Sequence, residues 1–336
     1  MQWMQLSTVR PMWVLRLVPG VRFGRLLAAA GILLLLLGAY AAAGMFTGHS
    51  PGSAPPTVAV FFAVILAYIV PTFHYIVARC TDAFAELTPH VDASVHEIET
   101  WRRAITQRDL GSQLVIVGIG IAAGLAHNYA LSQPAATAGD SLTGRLYVAV
   151  VGGTMLVWIV MTAVISGLFR IAAIFARLAK RVRIDLLQPR SMTPFARVAV
   201  ILTLVMIGAQ AAFPLLWLDE STSAVASIPG LIATGVTMLF LFAMPLLPIH
   251  RQIAAAKRAE ITRLDALVAV APRGVQDGTG SLAQLAPLLA YRREIEAARE
   301  WPFDTGVSGR LAFYLVIPPI TWVGAALIQH FVEGAL

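Results

Sequence analysis

The chain has 336 residues, of which 58% are hydrophobic and 13% charged, with a formal net charge of +7 and a mean hydropathy of +0.74. A soluble domain carries roughly 25% charged residues, so this composition excludes an ordinary water-soluble globule and implies a polytopic membrane protein. The lone cysteine, Cys80, excludes an intramolecular disulfide framework and a cysteine-based metal site.

In chain order, a basic N-terminal segment, residues 1–25, leads into the first of seven stretches free of Asp, Glu, Lys and Arg. They lie at 26–47, 57–78, 111–132, 146–169, 198–217, 225–249 and 311–332. Each is about the 20 residues that a helix needs to cross roughly 30 Å of hydrocarbon. The first has a basic start and a small-residue tail, "YAAAG", but exceeds the 7–15 apolar residues of a signal-peptide core and reads as a retained span.

Basic residues orient the spans. Of the 25 Lys and Arg, all but Arg145 fall before the first span or in the second, fourth and sixth connections. By the positive-inside rule the N-terminus is cytosolic, and seven spans put the tail "VEGAL" outside. The pI near 10.1 records this topology rather than a nucleic-acid surface, because no aromatic-interleaved basic patch accompanies it. Arg177, Lys180, Arg181 and Arg183 instead form a juxtamembrane cluster suited to anionic lipid headgroups.

The opposite-side connections, such as "SQPAATAGDSLTG", are short and rich in turn formers. The expected architecture is therefore all-α: a six-span bundle over 26–249, a cytosolic helical layer and a seventh span within 311–336. Amphipathic helices are expected at 79–110, where Phe84, Leu87, Val91, Val95 and Ile98 recur at helical spacing, and at 170–197. Residues 250–310 read as a helical hairpin, interrupted at "APRGVQDGTGS" with Ser281 placed to cap its second helix.

The hairpin leads into "WPFD", in which Trp301 suits the membrane boundary and Asp304 can cap the last span. That span carries Pro318 and Pro319, about 10 Å deep at 1.5 Å per residue. Two adjacent prolines break helical hydrogen bonding, and the freed carbonyls must face protein or a wet cavity rather than lipid. Two readings stay open: a structural kink covered by Thr321, a neighbouring helix or water, and a discontinuous helix lining a cavity.

Polar groups within the spans are sparse. His74 and Gln210 join Pro318, Pro319 and Thr321 as pore or cavity candidates. Glu86 with His90, and Asp92 with His96, stand four residues apart and on one helix would offer paired metal ligands. They complete no site, and the sequence implies no cofactor and no catalytic cluster. Gly120 with Gly124, Gly152 with Gly153, and Gly208 read as small residues that let helices approach closely.

Two stretches, "RIDLLQPRSMTPFAR" and "LLAYRREIEAAREWPFD" running into "YLVIPPITWVGAALI", resemble an uncharacterised group of bacterial multi-pass membrane proteins. That resemblance implies a bacterial inner-membrane location and carries no function. At the level of topology alone, the order of elements is similar to insect odorant-receptor-like channels.

The leading functional expectation is a passive channel or membrane-embedded binding protein whose broken seventh span lines a cavity, with assembly into a homo-oligomer. The alternative is a non-catalytic scaffold or sensor whose cytosolic helices bind a partner protein. An enzyme ranks third.

Overall fold

The computed structural model describes residues 9–49, 53–138, 144–218, 228–276 and 282–303, together with 306, 309, 313, 316, 317 and 320–324. Within them the fold is all-α: α1 (Gly24–Ala42), α2 (Ala54–Leu87), α3 (Val95–Thr106), α4 (Leu110–Ala138), α5 (Arg145–Ala179), α6 (Thr193–Ala212), α7 (Ile228–Gln276) and α8 (Leu282–Ala297). One small antiparallel ladder pairs β1 (Val9–Pro11) with β2 (Gln107–Asp109). Among the described residues, six helices are long and apolar enough to cross a membrane: α1, α2, α4, α5, α6 and α7.

The helices begin and continue for local reasons. Pro55 and Pro56 open α2 and Pro194 opens α6, where a missing N–H leaves no bond unmade. Pro71 lies inside α2, and Pro245 and Pro248 lie inside an unbroken α7. Neighbouring helices make such interior prolines tolerable in membrane spans. Pro214 sits in a 3-10 turn, Phe213–Leu218, that ends α6. Ser94 and Glu97 form a reciprocal capping box at the start of α3, and Asp109 accepts from the Ser112 amide (2.7 Å) and hydroxyl (2.8 Å) at the start of α4.

α2 is the centre of the bundle, packed on α1, α5 and α6, while α4 lies on α5, and α7 on α6 and α5. Phe73, Phe84, Phe175 and Phe195 are fully buried there, with Ile69, Ile76, Leu168 and Ile171. α1 and α4 are mostly exposed along their apolar lengths, as lipid-facing helices are.

The basic segments gather at one end. The N-terminal segment pairs with β2 through β1, and Trp13 N–H donates to Gln113 Oε1 at 3.1 Å. The linker after α2 meets the linker after α5 in a bridge of Val91 with Val182, flanked by Asp92 N–H to Arg181 O and Arg183 N–H to His90 O, both 2.8 Å.

Two expectations are revised. The 79–110 segment is not one amphipathic helix: α2 runs on to Leu87 and Pro89 sits in a 3-10 turn, Thr88–His90, before α3 starts afresh. Pro89 removes the bonding needed to continue, so Val95 leaves the stripe and is 85% exposed. In 170–197, helix persists only to Ala179 and resumes at Thr193, with a 3-10 turn at Pro189–Met192. The first arm of the 250–310 hairpin is the continuation of α7, and α8 packs back on it. Ser281 lies outside the described residues.

Candidate functional site

Two polar assemblies stand out, one within the membrane-spanning region and one at its basic end. The first centres on Gln210 near the end of α6. Its Nε2 donates to Thr234 Oγ1 on α7 at 3.2 Å, and its backbone carbonyl accepts from Trp322 Nε1 at 3.0 Å. Nearly two turns earlier, the Tyr68 hydroxyl of α2 donates to Leu204 O at 2.6 Å. Gly208 permits this, because a Cβ there would collide with the Tyr68 ring. Buried polar groups need partners, and here they tie α2, α6, α7 and the helical residues 320–324 together.

Thr321 is half-buried beside Trp322 in that last segment. Pro318, Pro319 and Asp304 lie outside the described residues. His74 belongs to another place, toward the basic end of α2, where Arg25 Nε donates to its Nδ1 at 3.4 Å.

The second assembly joins α7 to the last segment. Trp301 stacks on His250 with ring centres 4.0 Å apart and planes 8° from parallel. Trp301 then stacks with Phe303, and Phe303 with Phe242. His250 Nδ1 lies 3.1 Å from Glu300 O, so that nitrogen carries the proton. Lys257 Nζ donates to Ala298 O at 3.0 Å and pairs with the Glu300 carboxylate at 3.6 Å. Phe303 also packs on Ala196, Ala199, Val200 and Leu246. Trp301 is therefore clamped between the rings of His250 and Phe303.

The paired-ligand geometry expected of Glu86, His90, Asp92 and His96 is not formed. Glu86 is on α2, His90 in the 3-10 turn, Asp92 in the linker and His96 on α3, because Pro89 ends the helix that would have aligned them. Glu86 pairs with Arg197 and Asp92 with Arg183 at 3.4 Å. Among the described residues, no three His, Cys, Asp or Glu side chains converge as a metal site would require.

The glycines divide. A Cβ on Gly120 would lie 2.7 Å from Ile159 Cα, and one on Gly124 2.7 Å from Met155 Sδ, so this pair seats α4 on α5. Gly153 abuts Phe62 and Tyr40. Gly152 departs from the packing expectation, since its missing side chain would meet open space.

Arg181, Lys180 and Arg183 line an open groove of about 380 Å³ with Asp92 and Val182. Arg177 is turned back onto Ala173 O at 3.3 Å. Arg108, on β2, donates to Ser166 Oγ of α5 at 2.8 Å, and burial pushes its guanidinium pKa down from the usual value.

Sequence reading passed over Gln113, Tyr68, Trp322 and His250. Their partners lie up to 136 residues away, and the one local hint was a polar or amphipathic side chain inside or beside an apolar run. No family model, curated protein or solved structure matches the chain, so the functional reading rests on geometry.

Proposed function

We propose that this chain is a seven-span protein of a bacterial inner membrane, with its basic end in the cytosol, acting as a non-catalytic scaffold or sensor whose projecting hairpin binds a partner protein. One observation carries the reading: α7 is a continuous helix from Ile228 to Gln276. At 1.5 Å per residue, its 22 residues before His250 span about 33 Å, a bilayer's hydrocarbon thickness. The 27 residues from His250 onward project about 40 Å beyond it. α8 packs back on this arm, with Leu264 and Ile295 buried between them.

The seventh span is supported by two anchors, Phe303 against the start of α6 and Trp322 against its end. All described residues from 306 to 324 are helical. Orientation is supported by the basic segments gathering at one end. The groove of Lys180, Arg181 and Arg183 would then meet anionic headgroups of the inner leaflet.

The test places a photocrosslinking residue at exposed Leu289 and, separately, deletes 255–300. The expected result is a protein adduct from position 289 and loss of partner binding on deletion, with membrane insertion intact. Adducts confined to lipid, with a deletion that changes no interaction, would end the scaffold reading.

A second reading, the channel, is favoured by one observation. Phe313, Val316, Ile320 and Val323 are all exposed at spacings of three, four and three, the pattern of a seam for a neighbouring helix. Assembly around the seventh span would place that seam between copies. A symmetric oligomer in detergent, and a changed flux on replacing Pro318 and Pro319 by Ala, would favour the channel over the scaffold.

A further inference from the structure

At the end opposite the basic layer, α1 and α5 flank α2 and each packs on it, the two meeting where Tyr40 abuts Gly153. Between them lies an open groove of about 740 Å³ whose lining includes Leu36, Ala39, Tyr40, Val148 and Gly152, with Arg145 at its mouth. Its size falls within the roughly 300–1,000 Å³ of small-molecule sites, and its walls are almost wholly apolar. Gly152 keeps it open, since no atom lies where its side chain would be. From Arg145 to Leu156 the groove follows α5 for eleven residues, about 16 Å, which is half of the roughly 30 Å hydrocarbon core.

We infer that this groove holds one acyl chain of an anionic phospholipid from the leaflet opposite the basic end. The match is of charge to depth. On the topology proposed above, Arg145 is the one Lys or Arg outside the basic connections, and it opens α5 at the mouth of an apolar channel about one leaflet deep. α5 adds the positive end of a 35-residue helix, with no acidic residue in its first turn and no side-chain cap on Gly144. A zwitterionic headgroup also brings a phosphate but places its own cation beside Arg145 and the helix end, whereas an anionic headgroup pairs with that charge without a competing positive group.

The experiment is native mass spectrometry of the purified full chain exchanged into equal phosphatidylglycerol and phosphatidylcholine of identical chains, with photoactivatable phosphatidylglycerol to map contacts. The wild type should retain phosphatidylglycerol several-fold over phosphatidylcholine, with crosslinks in 36–43 and 144–156. Arg145→Gln should still retain lipid but lose the preference, and Arg145→Lys should restore part of it. Gly152→Leu should lose the retained lipid of either kind while its melting profile stays cooperative.

Equal retention of both lipids by the wild type would overturn the inference. So would crosslinks confined to Arg177–Arg183. If Gly152→Leu fails to fold, the Arg145 pair and the crosslink map decide the matter alone.

Discussion

Gln113 shows how much a single buried amide holds in this protein. It accepts from Trp13 N–H and donates to Arg108 O at 3.1 Å, fastening the N-terminal segment under α4. Gln113→Ala leaves a half-buried N–H without its partner, a loss of about 1–3 kcal/mol. The expected outcome is a lower melting temperature and faster proteolysis near Leu17–Gly20, read by limited digestion. Asp109 adds a pH-dependent contribution at the same place. The Ser112 amide and then the Ser112 hydroxyl hold its carboxyl below the usual value. A depressed carboxylate adds stability above its unfolded pKa and loses it as pH falls through the folded one. Ser112→Ala should therefore lower stability at neutral pH and flatten the acid limb of a melting-temperature profile. Among the glycines, Gly208→Leu should cost about 1–3 kcal/mol through overpacking against Tyr68, whereas Gly152→Leu should leave the melting temperature nearly unchanged.

At the scale of elements, the hydropathy pattern marks membrane helices but not their ends. The expected spans 26–47, 57–78, 111–132, 146–169, 198–217 and 225–249 fall on α1, α2, α4, α5, α6 and α7. A charged residue closes a hydropathy window without closing a helix, so α2, α5 and α7 run well past the stretches that predict them. Pro89 and the Ser94–Glu97 box show the converse, since local chemistry cuts a periodic stripe in two. The α7–α8 pairing rests on buried Leu264 and Ile295, with Arg292 bonded to Asp265 at 2.6 Å. Replacing both Leu264 and Ile295 by Ala should separate the arms, because a core truncation costs about 2–5 kcal/mol each. Spin labels at positions 257 and 299 would report a broadened distance distribution.

For the molecule as a whole, the charge asymmetry was legible because it depends only on which side of each apolar run a Lys or Arg falls. The Gln210 and His250 assemblies were not, because their partners meet through tertiary packing of distant segments. Seven spans make a distinct prediction: a reporter fused after Leu336 should be active outside the cytosol, while one replacing the α7–α8 turn should be active inside. Activity of both on one side would leave six spans. The continuous α7 also has a mechanical consequence. On the proposed topology, a rod held at His250, with about 33 Å before it and about 40 Å after it, would act as a lever. A tilt of about 10° would swing the hairpin tip by about 7 Å at that length, so on that topology a change in membrane thickness would reach the hairpin as displacement.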